Sequence, residues 1–119
     1  MYSLIIKDHF DSAHYIRDYK GKCSRQHGHT WYIEVVLNSE RLHDMNILVD
    51  FTEVKLHLKK ILDKLDHYHL NEVLNEPNVT AEYLAKWCYD YLSEHDLGGV
   101  QLVSVTIAES PDCGVRYSE

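Results

Sequence analysis

The chain has 119 residues, 45% of them hydrophobic and 26% charged, with a formal net charge of −7. That length predicts one folded domain, residues 1–119, able to bury a core without staples. The acidic balance speaks against a nucleic-acid partner, whose phosphates call for Lys and Arg. No run approaches the roughly 20 apolar residues of a membrane span.

Leu4-Ile5-Ile6 is too short and too closely flanked by polar residues to serve as a targeting signal. Three cysteines at irregular positions (Cys23, Cys88, Cys113) make no disulfide framework. A reduced, cytoplasmic location follows as the expectation.

Residues 2–10 alternate as a strand, with Leu4, Ile6 and Phe10 on one face. Arg17, Lys20, Lys22 and Arg25 then place four of the twelve basic residues just before His27-Gly28-His29. A solvated loop and a landing place for a small anionic substrate are both open readings. Trp31, Ile33, Val35 and Leu37 alternate with Tyr32, Glu34 and Val36, a second strand rich in β-branched and aromatic residues.

From Thr52 the period changes. Val54, Leu58, Ile61, Leu62 and Leu65 form one apolar stripe of a helix, and Asp50, three residues before Glu53, can cap its start. A second helix runs from about Thr80 to Glu94, with Leu84, Trp87, Cys88, Tyr91 and Leu92 on its inner stripe; Cys88 reads as a packed core thiol. Gly98-Gly99 closes that region. Val103, Val105 and Ile107 alternate as a third strand ending at Glu109, and the turn Pro111-Asp112-Cys113-Gly114 returns the chain into a short strand at Val115–Tyr117. The order β-β-α-α-β-β predicts an α+β fold, an antiparallel sheet with two helices on one face. Its open edges must be covered or paired, and pairing into a closed homo-oligomer is one solution.

Nine histidines are many for this length. In an extended segment His27 and His29 point to one face, and Gly28 between them would leave the backbone room to approach an ion. His14, at the end of the first strand, can supply a third ligand if the two strands pair. Three neutral imidazoles with an open position suit catalytic zinc. Cys23, four residues upstream of His27, has two readings: a fourth ligand closing a structural site, or a thiolate favoured by Lys22, Arg25 and the metal. Spacing does not choose between them.

Asp66-His67-Tyr68-His69 follows the first helix. His67 reads either as a histidine at a helix C-terminus or as a general acid/base supported by Asp66, a pairing of neighbours that requires an irregular turn. His69 could compete as a metal ligand, and His9, His43, His57 and His95 carry no assigned role. Glu109, in phase with an apolar strand face, reads either as a strand end emerging into water or as a carboxylate accepting paired N–H bonds from a heterocycle.

Taken together these residues resemble the family of 6-pyruvoyltetrahydropterin and 6-carboxytetrahydropterin synthases. The likeness is carried by Phe10-Asp11-Ser12-Ala13-His14, Cys23-Ser24-Arg25-Gln26-His27-Gly28-His29, Val49-Asp50-Phe51, Leu65-Asp66-His67 with Leu70-Asn71, Thr80-Ala81-Glu82, and Glu109 followed by Tyr117. It implies a T-fold (tunnelling fold) whose subunits close into a barrel, as a trimer or stacked hexamer with active sites at subunit interfaces. By that likeness His14, His27 and His29 hold zinc, Cys23 is the proton-abstracting base, and Asp66 and His67 form a relay. Glu109 anchors the pterin ring with help from Thr80 and also joins the catalytic relay, and Arg25 with the other basic residues meets a triphosphate, the last from charge alone.

Three residues lie between Cys23 and His27, a gap similar to that of the 6-carboxytetrahydropterin branch. The implied reaction is zinc-dependent conversion of 7,8-dihydroneopterin triphosphate to 6-carboxy-5,6,7,8-tetrahydropterin with release of acetaldehyde and triphosphate, in queuosine (7-deazaguanine) biosynthesis. The alternatives are 6-pyruvoyltetrahydropterin synthase activity on the same substrate, or a non-catalytic zinc-binding module with Cys23 as structural ligand. One departure from the family is Asn46, where glycine is common; asparagine tolerates positive φ, so the turn can survive.

Overall fold

The computed structural model describes residues 1–17 and 19–119, with Cys23 described by its backbone only. Two long strands, β1 (Tyr2–His14) and β2 (His27–Ser39), pair antiparallel in an unbroken register from Tyr2 opposite Ser39 to His14 opposite His27. β3 (Gln101–Ser110) and β4 (Cys113–Ser118) complete a four-stranded antiparallel sheet in the order β1-β2-β3-β4. The period-two patterns explain which face is covered. Leu4, Ile6 and Phe10 from β1, Trp31, Ile33, Val35 and Leu37 from β2, and Val105 and Ile107 from β3 are all buried.

Helices lie on that face. α1 (Phe51–Leu65) buries Val54, Leu58, Ile61 and Leu65, while Leu62 stays at the margin. Asp50 caps it, its carboxylate accepting from the Thr52 N–H at 2.9 Å, worth about 1 kcal/mol. The expected partner, Glu53, sits beside Gly98, whose φ of 83° and contact with Val49 leave no room for a Cβ. A four-residue helix, α2 (Leu70–Val73), follows where no helix was expected. α3 (Ala81–Ser93) starts at Thr80, whose hydroxyl accepts from the Tyr83 N–H at 3.1 Å. It buries Leu84, Cys88 and Leu92 as expected, and Ala81, Ala85 and Tyr89 besides. Trp87 and Tyr91 are only half-buried and stack on each other, with the Lys64 ammonium over the Tyr91 ring. Among the described residues no helix is long and apolar enough to cross a membrane.

Two deviations from a plain sheet place the functional residues. β3 meets β2 only from Tyr32 onward, so His27–Trp31 overhang with β1 alone beside them. A bulge between Ala108 and Ser110 isolates Glu109 from the β3–β4 ladder, and bulges re-aim side chains. The Asn46 expectation holds, with φ of 62° in a turn that also places Met45 at 66°.

Candidate metal centre and acid–base dyad

His14, His27 and His29 converge on the overhanging end of the β1–β2 ribbon. They are the last members of the two inward-facing rows: His14 continues Leu4, Ile6 and Phe10, and His27 and His29 continue Trp31, Ile33, Val35 and Leu37. Register does the rest, setting His14 opposite His27 and Ser12 opposite His29. The ring centroids lie 4.4 Å (14–27), 5.0 Å (14–29) and 4.8 Å (27–29) apart. One nitrogen from each comes within 4.8 Å of the others, so the group could hold a metal ion. Gly28 contributes no space to it, because it points to the opposite sheet face; a Cβ there would meet only the Ser12 carbonyl, at 4.0 Å.

Hydrogen bonds set the tautomers. His14 Nδ1 donates to the Val79 carbonyl at 2.7 Å, and His27 Nδ1 to the Arg25 carbonyl at 2.7 Å. Each ring therefore keeps its Nε2 lone pair free, the arrangement in which a ligating histidine is oriented from behind. The Nε2 atoms of His14 and His29 are buried and find no partner among the described residues. Burial holds both imidazoles below their ordinary pKa, partly offset by the Val79 carbonyl at His14 and by the Glu109 charge at both. Neutral imidazole is the form that binds a metal. Orphaned buried acceptors, neutral rings and a nitrogen-only donor set fit a borderline divalent ion such as zinc. Trp31 lines the floor, its ring edge-on to His14 at 4.7 Å and its indole N–H donating to the Ser12 carbonyl at 3.2 Å.

Glu109 faces this group, its carboxylate oxygens 3.9 Å from His14 Nε2 and 3.7 Å from His29 Nε2. It also lines a 220 Å³ depression with Ala81, Glu82, Cys113, Gly114 and Val115. The strand-end reading thus gives way to a half-buried carboxylate between the imidazoles and a small cavity.

Asp66 and His67 pair directly, with Asp66 Oδ2 2.9 Å from His67 Nδ1. The irregular turn this demands exists: α1 ends at Leu65, and His67 adopts φ of 61°. The turn is strapped to the outer edge of β1. The Asp11 N–H donates to Asp66 Oδ1 at 2.9 Å, the His67 N–H to the Asp11 carbonyl at 2.6 Å, and the Ala13 N–H to the Tyr68 carbonyl at 3.1 Å. The buried Ser12 hydroxyl donates to the Leu65 carbonyl. The Asp11 N–H first, and His67 second, hold the Asp66 carboxyl below its ordinary pKa. His67 stands two residues beyond the end of α1 and is open to solvent, so the helix-end position and the pairing with Asp66 coexist.

The remaining expected residues are placed as follows. Thr80 is the α3 cap and lies next to Val79, the residue that holds His14. Arg25 is exposed, and its backbone carbonyl, the acceptor for His27, is what touches the histidine group. The Cys23 side chain lies outside the described residues; its backbone belongs to a 3-10 turn, Lys22–Ser24. His69 does not join the group of three and instead packs against Tyr15, ring centroids 5.5 Å apart. His57 and His95, given no role from sequence, pack together at 5.0 Å.

Known proteins share the sequence pattern and the fold. Residues 3–119 match the family model described as 6-pyruvoyl tetrahydropterin synthase. The chain is 34% identical over 113 residues to the 6-carboxy-5,6,7,8-tetrahydropterin synthase of a Synechocystis species, covering 91% of this chain and 86% of that one. It is 29% identical over 113 residues to the dihydroneopterin monophosphate aldolase of Pyrococcus furiosus, covering 95% and 94%. The fold superimposes on the 6-pyruvoyl tetrahydropterin synthase of Caenorhabditis elegans with a TM-score of 0.87 at 24% identity, covering 99% and 95%. The chain belongs to the 6-pyruvoyl tetrahydropterin synthase family of enzymes.

Proposed function

We propose that this enzyme is a cytoplasmic, zinc-dependent 6-carboxytetrahydropterin synthase. It takes 7,8-dihydroneopterin triphosphate and water to 6-carboxy-5,6,7,8-tetrahydropterin, acetaldehyde and triphosphate, the step that feeds 7-deazaguanine (queuosine) synthesis. The observation that carries the reading is the convergence of three imidazoles, one ring nitrogen from each within 4.8 Å of the others, beside the Glu109 carboxylate. The relatives named for 6-carboxytetrahydropterin synthesis, at 30–34% identity over most of the chain, support the product class.

His14, His27 and His29 hold zinc, which when bound supplies Lewis acidity toward the substrate side chain. Glu109 presents two carboxylate oxygens to the parallel N–H groups of the pterin ring and so fixes its orientation. Cys23 takes a carbon-bound proton from the side chain, a role that rests on the family likeness. His67 carries a proton on Nδ1 toward Asp66, which leaves Nε2 to exchange protons with the substrate. Thr80 and Arg25 line the approach, and Arg25 with its basic neighbours receives the triphosphate.

Within one chain the imidazoles face the helix layer, whereas the dyad hangs from the outer edge of β1. β1 and β4 are the outermost strands of the sheet, β1 being strapped to the 66–68 turn at Asp11 and Ala13, and open edges of this kind invite pairing with another copy. A homo-oligomer, trimer or hexamer, that closes the sheets into a barrel brings the dyad of one subunit to the metal centre of another.

The test is incubation of the zinc-loaded protein with 7,8-dihydroneopterin triphosphate and mass analysis of products. Acetaldehyde and triphosphate in equal amounts are expected. A pyruvoyl product without acetaldehyde would assign 6-pyruvoyltetrahydropterin synthase activity instead. No turnover, together with loss of fold and zinc in Cys23→Ala, would leave a structural zinc module.

A further inference from the structure

We propose that Asn71 is a positioning residue for the metal centre, acting through the 77–79 segment on His14. The proposal rests on the reading of the three histidines as a metal site. Asn71 sits on α2 and is 5% exposed, the most deeply buried amide side chain among the described residues. An amide offers two N–H donors, and both are used: Nδ2 donates to the Tyr15 carbonyl at 2.9 Å and to the Pro77 carbonyl at 2.9 Å. Oδ1 accepts from the Tyr15 N–H at 2.9 Å.

The paired hydrogen bonds with Tyr15 imitate a strand partner. β1 ends at His14, and the amide continues the ladder for one further residue along the edge. The third bond reaches Pro77, two residues before Val79, whose carbonyl receives the proton of His14 Nδ1. Asn78 lies between them and is tied to the same stretch, bridging Ile16 and accepting from the Arg17 N–H at 2.6 Å. Residues 14–17 and 77–79 are thus joined at several points, and one buried side chain holds both.

The consequence falls on a single nitrogen. With Val79 fixed, His14 is the Nδ1–H tautomer and its Nε2 faces His27 and His29. With Val79 released, the ring gains a second tautomer and other rotamers, and a ligand held loosely from behind binds metal more weakly.

The experiment measures Co(II) and Zn(II) affinity of the full chain by competition with a chromophoric chelator, for wild type, Asn71→Ala, Asn71→Ser, His14→Ala and Leu92→Ala. Leu92 is fully buried near the C-terminal end of α3, the end away from Val79, so its truncation controls for a general loss of stability. The expectation is a 10–100-fold loss of affinity for Asn71→Ala, with Leu92→Ala within threefold of wild type. A second readout needs no metal: long-range ¹⁵N–¹H NMR should show one His14 tautomer in wild type and a mixture in Asn71→Ala. If Asn71→Ala fails to fold, Asn71→Ser, which keeps one hydrogen-bonding group, carries the same expectation.

Wild-type affinity and a single tautomer in the Asn71 variants would overturn the proposal, as would an equal loss in Leu92→Ala. A wild type that binds no metal, or a His14→Ala variant that binds as well, would instead remove the metal reading and this inference with it.

Discussion

Chelation should cost this protein a measurable part of its thermal stability, by an amount that follows from two atoms. Among the described residues His14 Nε2 and His29 Nε2, both buried, find no hydrogen-bond partner. Glu109 stands 3.9 and 3.7 Å away, beyond hydrogen-bond reach. An unsatisfied buried polar group costs about 1–3 kcal/mol, so an ion that takes up both lone pairs recovers roughly 2–6 kcal/mol. Linkage gives an independent figure inside that range: about 4 kcal/mol when free metal exceeds Kd a thousandfold. At about 3–6 °C per kcal/mol for a chain of this size, zinc loading worth about 4 kcal/mol should raise Tm by roughly 12–24 °C.

The assay is thermal unfolding of EDTA-stripped and zinc-reloaded protein at one fixed protein concentration, since an oligomer's Tm depends on it. His29→Ala removes one ligand and one of the two orphaned acceptors together, and its stripped-to-loaded gap should shrink to about a third of the wild-type value or less. Equal melting of stripped and loaded wild type would refute the reasoning. So would an undiminished gap in His29→Ala.

Asp66→Asn keeps an acceptor for the Asp11 N–H but removes the charge beside His67; kcat should fall about 10²–10⁴-fold with the turn intact. An unchanged kcat would take the dyad out of the reaction. The same Asp66 carboxyl, held low by the Asp11 N–H and then His67, binds fewer protons in the native state than in the unfolded chain. Its contribution to stability is therefore whole above the unfolded pKa near 4 and is lost as pH falls through the lower folded value. A ¹³C NMR titration of Asp66 should place its midpoint below about 4, and a midpoint above it would contradict the strap to β1. Glu109→Gln exchanges a two-oxygen acceptor for one oxygen and a misplaced donor, and should raise KM for the pterin by roughly tenfold or more at constant zinc content. Burial pushes the Cys88 thiol far up, whereas Cys113 is exposed. Iodoacetamide on the native protein should mark Cys113 and spare Cys88 until denaturant is added, with peptide mass mapping as the readout; equal labelling would displace Cys88 from the core.

What the sequence disclosed about the site depended on period two. The alternation of Trp31, Ile33, Val35 and Leu37, run backward, lands on His29 and His27, and that of Leu4, Ile6 and Phe10, run forward, lands on His14. A single pairing of the two strands then brings all three imidazoles together, which is why the three candidate ligands are legible in the sequence. The same rule, applied to Gly28, puts its missing side chain on the wrong face to help a metal. Features that depend on bonds across long stretches of chain had no local trace. His67 takes its left-handed backbone in a turn tied to Asp11, whose carbonyl accepts the His67 N–H and whose N–H donates to the Asp66 carboxylate 55 residues away. α2 is one turn long, too short to show a stripe, yet it delivers Asn71 to Tyr15 and Pro77.

The overhang of the β1–β2 ribbon is the consequence of greatest weight, and it is a matter of relative strand length. β2 has 13 residues, but β3 takes up its ladder only at Tyr32, and the bulge after Ala108 turns Glu109 out of the β3–β4 ladder. Had β3 continued to His27, a third strand would lie beside the imidazoles and close the side from which Glu109 now reaches them. The chain stops pairing where its hydrophobic rows give way to histidine. At that point the inward face of the sheet ceases to be core and becomes a candidate site, with the Val79 carbonyl bonded to His14 from behind and Trp31 packed against it.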